Sequence, residues 1–190
     1  MTISTPRYED GLLFLTSFYR GAITLKLDTE KPEASIIWKS KNWKGNRNSE
    51  RSENTDGIQG IISTPTMRDG FVYGVCSYGQ LRGIKAATGE RLWETFAATS
   101  GKEARWGNAF LVRQGDRFIL FSEKGDLIMA RLSPSGYDEI GRAHILDPTN
   151  TMPGRPVVWS HPAFADKCVF ARNDKEIVCV SLSVRDNLSE

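Results

Sequence analysis

An internal repeat limits the folds open to this chain more than any other feature of its sequence. Two segments, 4–15 and 63–75, each run from a Ser-Thr-Pro stretch through an Asp-Gly pair into apolar residues. The pairs, Asp10-Gly11 and Asp69-Gly70, lie 59 positions apart. Two weaker copies begin at Phe110 and Pro162, and their corresponding turns, at Gly115 and Asp166, follow after a further 45 and then 51 positions. A repeat of this length indicates one supersecondary unit copied along the chain.

Each unit contains the signals of four short strands. A first strand leads to the Asp-Gly turn, where glycine supplies the positive φ of a tight hairpin. An apolar second strand, a Tyr-Gly or Lys-Gly-Asp turn and an alternating third strand follow. The turn at Thr88-Gly89 then leads to a fourth strand that ends at Trp93, and Trp38 ends the first unit. Four strands in a period of about 40–50 residues are typical of a β-propeller blade.

The predicted fold is therefore all-β, with about four blades of four antiparallel strands in a single partial propeller domain over residues 1–190. A sheet with two apolar faces cannot bury both alone, so blades pack in series. The blades are predicted at residues 4–42, 61–99, 104–146 and 156–185.

Two connections between units are long. Residues 41–56 are rich in Lys, Arg, Asn, Ser and Glu and are predicted to form an exposed insertion, with a partner-binding loop as the alternative. Residues 147–156 hold three prolines, which argues against a helix there. No segment shows sustained helical periodicity, so we expect almost no helix.

The second unit carries the residues of a known family pattern. They are Pro65-x-x-x-Asp69-Gly70-x-x-Tyr73, Tyr78-Gly79-x-Leu81 and Ala87-Thr88-Gly89-x-x-x-Trp93. This pattern resembles the PQQ-like propeller repeat, whose superfamily includes the BamB-type assembly lipoproteins and the quinoprotein alcohol dehydrogenases. The sequence as a whole is most similar to bacterial PQQ-binding-like repeat proteins. The resemblance covers nearly the whole chain and is weaker in the third and fourth units.

The resemblance also carries expectations about blade number. Propellers of this family have seven or eight blades, which implies that the four seen here are a C-terminal half whose other blades lie upstream of Met1. A complete four-bladed ring is the alternative. The pattern is not uniform, since Lys85 stands where the first unit has the usual acidic residue, Asp28.

Charge and composition exclude several classes of function. The formal charge of +2 gives no basic surface for nucleic acid. No run approaches the roughly 18 apolar residues of a membrane span, and residues 1–10 lack the features of a signal peptide. Of the three cysteines, Cys168 and Cys179 flank a polar turn, so they either pair in a disulfide or stay free as buried thiols.

No catalytic, cofactor or metal residues are predicted. Quinoprotein dehydrogenases hold their quinone against a disulfide between adjacent cysteines, and this chain has no adjacent pair, so PQQ binding is not expected despite the family name. His144 and His161 lie in no ligand-spaced cluster. The sequence also has no G-x-S-x-G elbow.

One constellation is a candidate recognition surface. Arg105, Trp106 and Asn108 precede the first strand of the third unit, and Trp159 and His161 precede that of the fourth. In a propeller these segments approach the same rim of the central channel, and large amphipathic side chains beside polar groups favour binding. The alternative is that both tryptophans pack between blades.

Three functions are compatible with this sequence. The leading hypothesis is a non-enzymatic scaffold that binds protein or small ligands, with a BamB-like role in the bacterial cell envelope or periplasm implied by the resemblance alone. The second is a fragment of a PQQ-dependent oxidoreductase whose catalytic half is absent. The third is an intracellular interaction module.

Overall fold

Seventeen short β-strands account for the regular structure of the described residues. The computed structural model describes residues 3–41, 56–152 and 154–183. Within these ranges there is no α-helix, and so none that is long and apolar enough to cross a membrane. The predicted insertion at 41–56 falls almost entirely outside the described residues. The strands are β1 (Arg7–Glu9), β2 (Leu12–Ser17), β3 (Gly21–Leu27), β4 (Ala34–Lys39), β5 (Thr66–Arg68), β6 (Phe71–Val75), β7 (Leu81–Lys85), β8 (Arg91–Thr95), β9 (Ala109–Gln114), β10 (Arg117–Ser122), β11 (Asp126–Ser133), β12 (Gly136–His144), β13 (Asn150–Met152), β14 (Arg155–Val157), β15 (Ala163–Ala165), β16 (Cys168–Arg172) and β17 (Ile177–Ser181).

The strands form antiparallel sheets that follow chain order. The first blade is β1-β2-β3-β4, the second β5-β6-β7-β8 and the third β9-β10-β11-β12. The fourth blade contains β15-β16-β17 in the part of the chain that the structure describes. This confirms the all-β prediction of a partial propeller. The Pro-rich connection 147–156 is not wholly irregular, because β13 and β14 pair there as a small hairpin.

The tight turns between first and second strands set the register of every blade. Asp10 and Asp69 have φ of 48° and 52°, and the glycine after each has φ of 78°. Positive φ at both central positions defines the type I′ hairpin, as the Asp-Gly pairs predict. Asp166 and Lys167 adopt the same left-handed geometry without a glycine. The first residue after the turn therefore has the same position in all four blades. These residues are Leu12, Phe71, Arg117 and Cys168.

Each interface between consecutive blades is sealed by apolar side chains. We call the sheet face toward the next blade along the chain the forward face, and the opposite one the backward face. Phe14 on the first blade shares a cluster with Val72 of the second, and Tyr73 with Phe118 of the third. Phe121 of the third blade meets Ala171 of the fourth. The core of this protein therefore consists of three layers between four sheets.

Equivalent residues of the second strands show which faces are covered. The forward positions are Phe14, Tyr73, Ile119 and Phe170, exposed by 0%, 2%, 5% and 38%. The backward positions are Leu13, Val72, Phe118 and Val169, of which the last three are fully buried and Leu13 is half-buried. The backward face of the first blade and the forward face of the fourth are thus uncovered. The blades form an open arc rather than a closed four-bladed ring.

Tryptophans of the outer strands reach into the next blade. A Cβ atom on Gly89, in the third-to-fourth-strand turn of the second blade, would overlap the Trp38 indole. Trp93 stacks on Tyr73 at 6.0 Å between ring centroids, and its Nε1 donates to the carbonyl of Ser133 in the third blade at 2.8 Å. These contacts explain the glycine and the tryptophan of the repeat as a pair of packing partners in successive blades.

We expect Gly89→Ala to destabilise the fold far more than Gly70→Ala. Both glycines have positive φ, which costs an alanine about 1 kcal/mol, but Gly70 has no atom within 4 Å of the new methyl group. At Gly89 the methyl must also displace Trp38, which adds roughly 1–3 kcal/mol. Urea unfolding followed by tryptophan fluorescence measures both values. Equal losses in the two variants would contradict the packing assigned to Trp38.

The third blade uses a charged cluster at its outer strand instead of a tryptophan. Gly141 occupies the position held by Trp38 and Trp93, opposite Met129. Arg142 donates from Nη2 to the carbonyl of Ala97 in the second blade at 2.7 Å and from Nη1 to Asp126 at 3.1 Å. Arg142 thus contacts the preceding blade, whereas Trp38 and Trp93 contact the blade that follows their own.

His144 in the same cluster is expected to titrate above the ordinary histidine pKa of about 6.5. Hydrogen bonds of Nδ1 with Asp126 at 2.9 Å and of Nε2 with Asp147 at 3.0 Å raise its pKa, Asp126 having the larger effect. The stabilisation by protonated His144 is therefore complete below the unfolded-state pKa and is lost as pH rises through the folded-state pKa.

An NMR titration of His144 measures this shift. Asp126→Asn should lower the pKa of His144 more than Asp147→Asn does. Titration at an unchanged pH in the Asp126→Asn variant would contradict the assignment.

All three thiols are free in the structure. Cys76 is buried between the first and second blades, where burial raises the pKa of its thiol. Cys168 and Cys179 lie on the uncovered forward face of the fourth blade, on adjacent strands. Desolvation and then a hydrogen bond with Cys179 raise the pKa of the Cys168 thiol.

Candidate functional site

The candidate residues from the sequence lie at one end of the blades. In a four-stranded antiparallel blade, the turn between the second and third strands and the connection to the next blade share one end. We call this end the rim. Residues 104–108 and 155–161 are such connections, and the turn at 123–125 lies beside them.

A buried carboxylate, that of Glu123, joins the rim segments of the third and fourth blades. Its Oε1 accepts from Arg155 Nε at 2.8 Å, and its Oε2 from Arg155 Nη2 at 3.0 Å. The same Oε2 accepts from the backbone N–H of Asn108 at 3.2 Å and from Trp159 Nε1 at 3.3 Å. Two of the predicted residues, Asn108 and Trp159, are thus brought together through Glu123.

The backbone of Glu123 strengthens this arrangement. Its N–H donates to the carbonyl of Asn108 at 3.0 Å, and its carbonyl accepts from the N–H of Val158 at 2.7 Å. The side chain of Glu123 is only 1% exposed. A buried charge is tolerated where it is paired and fully hydrogen-bonded, which the fork of Arg155 provides. The cluster of Asn108, Glu123, Arg155 and Trp159, here called the rim cluster, is therefore a rigid junction.

Arg105 and Trp106 form a second feature of the rim, above the second blade. The Arg105 guanidinium lies 4.7 Å from the centre of the Trp106 ring. Trp106 has a φ of 62°, which is unusual for a bulky residue, and its N–H donates to the carbonyl of Ser77 at 2.6 Å. Gly107 follows in close contact with Gly79, so the strained turn is fixed by its neighbours. The exposed side chain of Arg105 thus stacks on the half-buried indole of Trp106.

His161 lies apart from these groups and lines a concavity beside the first strands of the blades. Its ring is 4.8 Å from that of Phe110, and Nδ1 donates to the carbonyl of Pro162 at 2.7 Å. A neutral His161 therefore carries its proton on Nδ1 and presents Nε2 as an acceptor. We call this space the inner concavity. It has a volume of about 470 Å³ and is lined by Arg7, Tyr8, Glu9, Thr66, Met67, Leu111, Val112, Arg113 and His161.

The inner concavity has features that suit binding. Three short strands, β1, β5 and β9, form its floor side by side and are held by their own blades. Arg7 is fixed by donation from Nε to the carbonyl of Pro65 at 2.9 Å. Charged groups stand beside apolar ones, with Tyr8 exposed by 61%. Such a surface can accept an apolar side chain flanked by an acidic group.

Sequence reasoning missed Glu123 and Arg155. Glu123 follows the second strand of the third unit, and the sequence alone does not distinguish it from a residue of the Lys-Gly-Asp turn. Its partners are 15, 32 and 36 positions away along the chain. The only signal for Glu123 is the strand register, which places it at the position of Phe18 and Ser77 in the first two blades. Both of these residues are buried, and a charged side chain that is buried at the same position needs a partner.

We expect Glu123→Gln to lower the free energy of unfolding by about 2 kcal/mol, because the amide leaves the Arg155 charge without its counter-ion. Asp116→Asn is the matched control, since Asp116 is 69% exposed and its replacement should change stability by less than about 0.5 kcal/mol. Urea unfolding measures both. A loss no larger than that of the control would show that the carboxylate charge is not needed at this junction.

Comparisons with known proteins agree with this architecture. Residues 29–188 match the family described as outer membrane protein assembly factor BamB. Among curated protein sequences there is no match. The structure resembles that of BamB from Moraxella catarrhalis with a TM-score of 0.53 and 15% identity, over 93% of this chain and 42% of that one.

Two enzymes align with lower TM-scores. The quinohemoprotein alcohol dehydrogenase from Comamonas testosteroni aligns with 16% identity and a TM-score of 0.47, over 83% of this chain and 22% of its own. A europium-containing methanol dehydrogenase aligns with 14% identity and a TM-score of 0.48, over 90% and 36%. This chain thus spans less than half the length of each of these structures.

Proposed function

Because the chain belongs to the family of the outer membrane protein assembly factor BamB, we propose that it is a non-enzymatic propeller scaffold that binds a protein partner in the cell envelope. The inner concavity carries this proposal. It combines Arg7 and Arg113 with apolar groups on rigid strands, next to the exposed Tyr8. The expected partner is a polypeptide segment in which an apolar side chain neighbours an acidic one.

The rim supports the same proposal. The stacked pair of Arg105 and Trp106 offers a cation and an indole together, the combination that is enriched at the centres of protein interfaces. In the rim cluster, Trp159 is held by its hydrogen bond to Glu123, whose charge is paired with Arg155. Partner recognition would then use preformed side chains at the rim and the inner concavity.

We do not propose a quinone site among the described residues. Among the described residues no three His, Cys, Asp or Glu side chains converge as metal ligands. The buried carboxylate of the rim, Glu123, is already committed to Arg155. Cys76 lies in the layer between two blades and the other thiols lie on an outer flank. We therefore derive no chemistry through PQQ.

Site-specific photo-crosslinking tests the proposal. A photoreactive phenylalanine analogue at Arg113, in the inner concavity, should give a discrete adduct with a protein of the envelope fraction. The same group at Lys31, in the exposed turn after β3, is the control and should give none. Equal labelling from both positions, or none from Arg113, would contradict binding at the concavity.

Two further measurements address the competing functions. Fractionation of cells should place the protein with the envelope, whereas a cytosolic protein would favour an intracellular module.

Purified protein supplied with PQQ and Ca²⁺ should show no dye-linked dehydrogenase activity. Turnover above the protein-free background would overturn the non-enzymatic assignment.

A further inference from the structure

A cavity lies in the layer between the second and third blades, at the end opposite the rim. On the second blade its wall is the forward face, where Arg68 pairs with Phe71 and Tyr73 follows along the same face. On the third blade its wall includes Leu132 and Asp116, the latter in the turn between β9 and β10. The cavity has a volume of about 320 Å³, and both walls are supplied by the two inner blades of the arc. We call it the turn-end cavity.

Tyr73 brings an unpartnered polar group to this cavity. The residue is 2% exposed, and its hydroxyl makes no hydrogen bond within the described ranges of the chain. Burial raises the pKa of the hydroxyl, Arg68 lowers it and Asp69 raises it, so both of these charges act on the end of the ring that lines the cavity. A buried hydroxyl that lacks a partner costs free energy. The Tyr73 hydroxyl is therefore a candidate contact for a ligand.

The repeat shows that this hydroxyl is not needed for packing. The equivalent positions of the other three blades hold Phe14, Ile119 and Phe170, which are all apolar. Phe14 is fully buried in the layer between the first and second blades, so a phenyl ring fits this position. The second blade alone carries a polar group here among the described blades, which indicates a role other than filling the layer.

Arg68 adds further hydrogen-bond donors beside the Tyr73 hydroxyl. Its Nε donates to Asp69 at 3.1 Å, and its side chain is 27% exposed, whereas that of Asp69 is 79% exposed. The two Nη groups of Arg68 make no hydrogen bond to a described residue. The carbonyl of Ser133 at the cavity wall already accepts from Trp93. The groups available inside the cavity are therefore donors, and they favour a ligand that brings a charged acceptor.

We propose that the turn-end cavity binds a small monocarboxylate with an apolar body. The carboxylate accepts from the Tyr73 hydroxyl and from Arg68, and the body packs between Phe71 and Leu132. A cavity of about 150 Å³ holds a benzene ring, so the larger turn-end cavity has room for a ring with a short acid chain. Asp69 and Asp116, 79% and 69% exposed at the mouth, disfavour a second negative charge. This site is independent of partner binding at the inner concavity.

Titration with 3-phenylpropanoate, followed by NMR, tests whether the cavity binds such a ligand. Trp93 is the reporter, because its ring stacks on Tyr73 and its Nε1–H donates to Ser133 at the cavity wall. We expect a saturable shift of this N–H signal with a Kd below about 1 mM. The indole signals of Trp106 and Trp159 at the rim should not move. Absence of a saturable shift at Trp93, or equal shifts at the rim, would overturn the proposal.

Removal of either donor should weaken binding of this probe. Tyr73→Phe deletes only the hydroxyl, and Arg68→Gln deletes the positive charge. Each should raise the Kd at least about tenfold, because a hydrogen bond to a charged group is lost. Arg172→Gln is the matched control, since Arg172 is exposed on the fourth blade, and it should change the Kd by less than about twofold. An unchanged Kd in Tyr73→Phe or in Arg68→Gln would contradict the assigned contacts.

Unfolding in urea separates a ligand contact from a structural role of Tyr73. Without ligand, Tyr73→Phe should unfold at the native urea midpoint or above it, because the hydroxyl makes no bond that the variant loses. With saturating 3-phenylpropanoate, the midpoint of the native protein should rise more than that of Tyr73→Phe. A clearly lower midpoint of the ligand-free variant would show that the hydroxyl serves the fold, and would overturn its assignment to a ligand.

Two analogues of the probe test the charge of the ligand. In 3-phenylpropylamine an ammonium replaces the carboxylate, and the affinity should fall at least about tenfold because the ammonium faces Arg68. Benzylmalonate keeps the ring and adds a second carboxylate, which Asp69 and Asp116 should make at least about threefold weaker in binding. If the amine binds as tightly as 3-phenylpropanoate, the ligand is not a carboxylate. If benzylmalonate does, the site does not select a single charge.

Discussion

The contact between the forward face of one blade and the backward face of the next is the interaction on which the rest of this structure depends. A four-stranded sheet has no core of its own, so most buried apolar residues of a blade are buried by a neighbour. Tyr73 shows this directly, since its ring lies 5.7 Å from Phe118 of the following blade. The turns, the rim and the inner concavity are placed only because these layers stack.

The three layers share a shape but differ in chemistry. Between the first two blades, Thr16 and Thr24 donate to the carbonyls of Ile58 and Ala86 at 2.5 and 2.6 Å. Between the second and third, Trp93 donates to Ser133. Between the third and fourth, the pair of Glu123 and Arg155 takes over. Directional polar bonds at the ends of each apolar layer fix how far one blade can slide against the next.

Local features were predictable from the sequence because their causes are local. The Asp-Gly turns, the alternating strands and the absence of helix among the described residues each depend on a few neighbouring residues. The hairpin of β13 and β14 was not predicted, because Pro156 lies opposite Thr151 without breaking the pairing. Asp166 and Lys167 make the same turn as Asp-Gly without the glycine that signals it.

The candidate site was only partly predictable, for a physical reason. Asn108 and Trp159 could be selected from the sequence because they are polar or large residues that precede a strand. The group that joins them is the carboxylate of Glu123, which lies in a third segment. Its role arises from the stacking of two blades, which the sequence expresses only through the repeat. Arg105 and Trp106 could be recognised as neighbours, whereas the place of His161 in the inner concavity depended on the first strands of three blades.

The one-sided burial of the outer blades shapes the motions of a single arc. In a linear array each unit is held by its nearest neighbours, so the second and third blades have two supports and the first and fourth have one. Opening should therefore begin at the two ends and move inward. Amide hydrogens of β10, where Phe118 and Leu120 are fully buried, would then exchange last. The arc behaves as a stack with a protected centre and fraying margins.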